Sequence, residues 1–316
     1  MQEISERRII TLEEHYTDHE IIALYGAPAT ALSARLADFT TIRLEEMDEA
    51  GIDLQVLSHA PPGLQAVDGP GAPALARRAN DRLRQVIAAN PTRFAGFASL
   101  PTAVPEAAAD ELERAVVELK LKGGIIHGPP HGRFLDDKRF WPIFARAEAL
   151  GVPIYLHPAD PMQVVVDAYF GDYAKTHPMF LRAAWGFTME TATQAMRLVL
   201  SGLFESHPRL QLILGHFGET IPFLLARIDE ALARDTPMQN FRAQFTEHFH
   251  VTTSGFFSDA TLFCCIQEIG IDRIMFSVDW PYASQAAGAN WLTHVHLCLA
   301  DKAKLLHKNA EQLLKL

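Results

Sequence analysis

The chain has 316 residues, is 48% hydrophobic and 21% charged, and sets 38 acidic against 28 basic side chains for a net charge of −10. That balance argues against a nucleic-acid or membrane-surface partner, since both need a positive field. The apolar fraction argues against disorder. Three cysteines (Cys264, Cys265, Cys298) cannot staple a chain of this size, the N-terminal MQEISERR lacks the apolar run of a signal peptide, and no stretch is apolar for long enough to span a bilayer. A cytoplasmic protein is expected.

Apolar, β-rich runs alternate with amphipathic helical stretches from end to end. Candidate strands are Ile9–Leu12, Leu54–Ser58, Phe94–Leu100, Gly124–His127, Pro153–His157, Gln211–Gly215, Phe249–Thr253 and Ile274–Val278. Candidate helices are Ala74–Asn90, Glu106–Leu119, Asp137–Leu150, Thr191–Phe204, Ile221–Arg234, Ala260–Ile269 and a C-terminal pair running through Leu314. Eight strand-then-helix units predict an α/β protein with a closed (β/α)8 (TIM) barrel. The competing doubly wound sheet is weaker, because no Gly-rich phosphate loop follows any strand. No composition shift marks a boundary, so one domain over 1–316 is expected.

Two long connections break the rhythm, 16–43 after the first strand and 158–190 after the fifth, and 61–74 is a shorter one rich in Gly and Pro. All follow strand C-terminal ends, the side on which a barrel keeps its active site. Connections of this length read as lids or substrate walls over the mouth, or as subunit contacts.

Polar residues of metal-binding type fall at the same strand ends. The first strand ends TLEEH, so Glu13 and His15 point to one side and Glu14 to the other. The fifth ends at His157, the sixth opens into His216 with Glu219 three residues on, and the eighth runs into Asp279. Any one alone reads as a turn or surface residue. Together, on separate strands of one barrel, they predict a site for one divalent ion, Zn²⁺ or Mn²⁺, held by Glu13, His15, His157 and Asp279. His216 is then free for acid/base work, with Glu219 fixing its tautomer or serving only as a first-turn helix carboxylate. Arg227 is a candidate for an anionic substrate, in its own subunit or a neighbour's, or a salt-bridge partner. Tyr25, Phe187, Trp185 and Trp280 are candidate aromatic walls or packing residues. His59, His127 and His131 follow the second and fourth strands with their roles open.

These features resemble the amidohydrolase superfamily, and within it the metal-dependent decarboxylase branch of γ-resorcylate, 2,3-dihydroxybenzoate and 5-carboxyvanillate decarboxylases. The resemblance is carried by LEEH (12–15), RLEEMDEAGID (43–53), YLHP (155–158), ETATQAMRLVLSGLFESHPRLQLILGHFGE (190–219), VTTSG (251–255) and FSVDWPY (276–282). It implies the same four metal ligands, with His216, Glu219 and Asp279 as catalytic groups and Arg227 at the substrate. The fourth strand, GGIIHG, lacks the Lys that bridges two metals in hydrolytic relatives, which fits a mononuclear site. LSHAPP after the second strand and His127 on the fourth depart from the branch's usual patterns, so the particular substrate stays open. The implied activity is release of CO2 from an ortho-hydroxybenzoate-type phenolic acid, in a homodimer or homotetramer. The alternative is a metal-dependent lactone or amide hydrolase.

Overall fold

The computed structural model describes residues 8–26, 29–235 and 240–316. Residues 1–7, which make up most of the N-terminal MQEISERR weighed above for a signal peptide, and 27–28 of the first long connection lie outside them. The strands are β1 (Ile10–Tyr16), β2 (Leu54–His59), β3 in two pieces (Phe94–Gly96 and Ala98–Ser99), β4 (Gly124–His127), β5 (Ile154–His157), β6 (Leu212–Leu214), β7 (Phe249–Thr252) and β8 (Ile274–Met275). Each runs parallel to the next. The break in β3 is a hand-over. Phe97 N–H donates to Leu57 O of β2 at 2.9 Å, and Ala98 N–H donates to Gly123 O beside β4 at 2.9 Å. A parallel bridge between Leu12 and Ser277 joins the last strand to the first. The fold is the expected (β/α)8 barrel.

Strand alternation divides the core into two layers. Inward residues such as Leu12, Val56, Ile125, Tyr155 and Ile213 fill the barrel, and the C-terminal helix Asn309–Leu314 packs against them through Ala310 and Leu314. Outward residues such as Leu57, Ile126, Leu156, Leu214 and Val251 pack in the layer shared with the helices.

Two expectations about elements need correction. The first long connection ends in a helix, Ile42–Ala50, stopped by Gly51 in the left-handed region (φ 68°). Its apolar residues show no helical stripe, because one of its buried positions is Arg43. The helix read as Thr191–Phe204 is instead Gly186–Leu200 followed by the short turn Leu203–Ser206, separated by Gly202 at φ 81°. Within 158–190, Phe170, Tyr173 and Phe180 form their own ring cluster. No helix among the described residues is long and apolar enough to cross a membrane.

Candidate active site

The register of β1 against β2 shifts between Thr11 and Glu14, and Glu13 adopts a left-handed backbone (φ 60°). This bulge re-aims a side chain at the barrel rim. One donor atom each from Glu13, His15, His157 and Asp279 converges, all within 4.8 Å of one another. Glu13 Oε1 lies 3.0 Å from His157 Nε2, and His15 Nε2 lies 3.1 Å from Asp279 Oδ1. Glu13 Oε1 and His15 Nε2 are buried with no hydrogen-bond partner. Buried polar atoms are seldom left so, and two such atoms in one cluster fit the binding of a cation between them. His157 Nδ1 is 2.7 Å from Pro158 O, so it carries the proton and leaves the Nε2 lone pair free. Two carboxylates and two imidazoles without a thiolate suit a divalent ion of intermediate hardness.

The local electrostatics agree. Burial brings the His15 imidazole down to about 4, so it stays neutral and able to ligate. Burial pushes the Asp279 carboxyl well above its ordinary range, reinforced by the charge of Glu13. Burial would also raise Glu13, but His216, His157 and His15 outweigh it and hold that carboxylate low.

Beside these ligands, His216 Nδ1 sits 2.7 Å from Glu219 Oε1, while its Nε2 is 3.8 Å from Glu13 Oε1. The pair depends on a run of left-handed residues from His216 to Thr220, with φ between 49° and 77°. Only Gly218 adopts this without steric cost. Burial opposes protonation of His216, but Glu219, Glu13 and Asp279 together raise it to about 10. The other oxygen of Glu13, Oε2, accepts from the Tyr155 and Ser254 hydroxyls, and the Thr252 hydroxyl bridges those two at 2.8 and 2.6 Å. Gly215 makes room for this cage, since a Cβ there would stand 2.7 Å from Glu13 Oε2.

The structure thus brings together the four predicted ligands and the His216–Glu219 pair. It places the remaining candidates differently. Arg227, on the helix Ile221–Asp235, is exposed and forms no hydrogen bond or ion pair among the described residues. Tyr25 is half-buried and donates its hydroxyl to Gly63 O at 2.5 Å. Gly63 packs on His127, whose ring meets His157 at a centroid distance of 5.0 Å. Phe187 is half-buried near the start of the helix Gly186–Leu200, and Trp185 just before it is exposed. Trp280 is not a wall residue. It follows Asp279, lies fully buried under the Arg43 guanidinium at 3.9 Å, and donates its indole N–H to Glu46.

The open histidines act mainly as latches. His59 accepts the Asp18 N–H at 2.9 Å and faces Ala60 O at 2.7 Å; His127 is 2.8 Å from His59 O and 2.9 Å from Gln65 Oε1. His131 pairs with Asp68 at 2.8 Å and lines a separate cavity of about 560 Å³ whose walls include none of the four ligands. Sequence reasoning missed Tyr155, Thr252 and Ser254, although Tyr155 lies two residues before His157 and therefore on the same strand face.

Comparison with known proteins agrees with this geometry. The amidohydrolase family model matches residues 17–316. The chain belongs to the amidohydrolase family. This amidohydrolase is 40% identical to the γ-resorcylate decarboxylase of Rhodococcus jostii (strain RHA1), over 97% of its own length and 98% of the relative's. It is 39% identical to a dihydroxybenzoic acid decarboxylase from Polaromonas sp. JS666, solved with manganese and the inhibitor 2-nitroresorcinol. The TM-score is 0.90, with 98% and 97% of the two chains covered. A 5-carboxyvanillate decarboxylase from Novosphingobium aromaticivorans, complexed with manganese, has a TM-score of 0.92 at 29% identity, covering 98% of this amidohydrolase and 97% of that chain.

Proposed function

We propose that this protein is a metal-dependent, non-oxidative decarboxylase of an ortho-hydroxybenzoate-type acid such as a dihydroxybenzoate, releasing CO2. The observation that carries this reading is the convergence of Glu13, His15, His157 and Asp279, two of their donor atoms orphaned in the interior, beside the His216–Glu219 pair. The similarity to decarboxylases over nearly the full chain supports the same reaction class.

An aryl carboxylate resists CO2 loss because the electrons left behind would occupy an in-plane orbital that the ring cannot delocalise. An ortho hydroxyl changes this: its electrons flow to the carboxyl-bearing carbon, which takes a proton, and the breaking C–C bond then restores aromaticity. A divalent ion held by the four residues, manganese as in the similar structures or zinc, would supply a Lewis acid for the carboxylate and hydroxyl oxygens.

The chain's own groups supply the rest. With Nδ1 committed to Glu219, the protonated His216 presents Nε2–H and a positive charge to an anionic substrate. Asp279 or His216, whose side chains are 19% and 27% exposed, delivers the proton to the ring carbon. Phe187 and Tyr25 contribute aromatic surface that keeps water from the ring. Arg227 neutralises the substrate carboxylate against the −10 background, here or across a subunit contact. Phe223, one turn before it and 79% exposed, favours a homodimer or homotetramer. Three free cysteines fit a cytoplasmic location.

Turnover of 2,6-dihydroxybenzoate in D2O tests the reading. One deuteron must appear where the carboxylate was, with CO2 evolved. Removing or methylating the ortho hydroxyls must abolish turnover. Efficient decarboxylation of plain benzoate, or activity only on lactones or amides with solvent oxygen in the product, overturns it.

A further inference from the structure

Glu13 and Glu14 are adjacent carboxylates aimed at opposite sides of β1. Glu13 enters the ligand cluster. Glu14, fully buried, points to the chain that leaves β8. There Oε1 accepts the Val278 N–H at 3.0 Å and Oε2 accepts the Trp280 N–H at 3.2 Å. These are the residues on either side of Asp279. The Trp280 carbonyl is in turn held by the His15 N–H at 2.7 Å. Residues 278–280 therefore form an arch bound to residues 14 and 15 at three points, with Asp279 at its apex.

The arch needs such a hold. Asp279 is left-handed (φ 68°), a conformation that a residue with a Cβ seldom adopts without support from its surroundings. Released to an ordinary backbone conformation, its carboxylate would leave its place 3.1 Å from His15 Nε2. Arg43 supports the clamp from behind. Its buried guanidinium donates to His15 O at 2.5 Å and to Gln55 Oε1 at 3.1 Å, lies 3.9 Å from the Trp280 ring centroid, and supplies the positive charge beside Glu14.

We propose that Glu14, backed by Arg43, is a positioning residue that holds Asp279 in its ligating conformation and so sets metal affinity without touching the metal. This rests on the metal-site reading above. In Glu14→Gln the amide NH2 faces one of the two backbone N–H groups, and the clamp opens on that side. Glu14→Asp keeps the carboxyl and adds no N–H donor but is too short to reach both amides, so it carries the test should Glu14→Gln not fold.

The experiment is Mn²⁺ titration followed by electron paramagnetic resonance, with thermal unfolding of each protein. It compares wild type, the Glu14 variant, Asp279→Asn and the double variant. We expect the Glu14 variant to bind Mn²⁺ at least tenfold more weakly while remaining folded. In the Asp279→Asn background the same change should have no further effect, because its target is already gone. Wild-type affinity in the Glu14 variant, or an equal loss in both backgrounds, overturns the proposal alone. Wild type that binds no divalent ion overturns the metal-site reading and this proposal with it.

Discussion

The Tyr155 hydroxyl donates to Glu13 Oε2, so the two oxygens of one buried carboxylate have separate roles, one caged by hydroxyls and one turned toward the histidines. With Ser254 on the same oxygen, Glu13 is directed to act as a one-oxygen ligand through Oε1. Tyr155→Phe should therefore weaken metal binding about 10- to 100-fold, the usual cost of losing a partner that orients a ligand. Competitive metal titration reads this directly, and an unchanged affinity would show that Ser254 alone suffices.

Metal content should be close to one equivalent per chain. His157→Ala and Asp279→Ala should each lose most of it and stay soluble, because both side chains enter the ligand cluster and neither belongs to the apolar core. Elemental analysis finding two equivalents, or full occupancy in both variants, would defeat the mononuclear assignment.

For His216, the expected signature is a split between chemistry and metal loading. His216→Asn should lower kcat strongly while metal content stays near that of wild type. Steady-state kinetics on metal-quantified enzyme checks both halves together.

Arg227→Met should lower kcat/KM at least tenfold, equivalent to about 1.4 kcal/mol of transition-state stabilisation, again without loss of metal. Normal kinetics would return Arg227 to the exposed surface of its helix.

A pH dependence is expected away from the site. Arg82 grips Asp18 with two hydrogen bonds at 2.7 and 2.8 Å and ties the first long connection to the helix Ala72–Ala89. Burial would raise the Asp18 carboxyl, but Arg82 and two backbone N–H groups bring it below its ordinary value. A carboxyl depressed in the folded state stabilises fully above its unfolded pKa of about 3.9, and that contribution is lost as pH falls through the folded value. Arg82→Met should cost about 1–3 kcal/mol near pH 7, with the gap to wild type closing in that acid range. Urea unfolding at several pH values measures it, and a constant gap would assign the loss to packing instead.

The barrel and the clustering of the four candidate ligands were legible in the sequence because β-strands bury contiguous apolar runs and open into loops at one end. His157 and Asp279 announced themselves as polar residues where such runs stop. The hydroxyl cage was not legible. Tyr155 lies on β5, while Thr252 ends β7 and Ser254 sits in the turn just after it, and each alone is an ordinary residue for its place. For Trp280 the sequence left wall and packing open, and the structure gives packing, with the ring buried against Arg43. The helix Ile42–Ala50 escaped because Arg43 turns inward, and a charged residue hides the apolar stripe by which helices are recognised.

The seam between β1 and β8 joins residues 264 to 266 positions apart, such as Glu14 with Val278 and Trp280. Three of the four ligands stand at that seam. Contacts of such long range close late when a chain folds, because the loop between them must be ordered first. During synthesis the N-terminal two ligands leave the ribosome long before Asp279 exists. On the proposed assignment the full set of four ligands exists only once the last barrel strand has docked, so full metal occupancy would report that the whole barrel has closed.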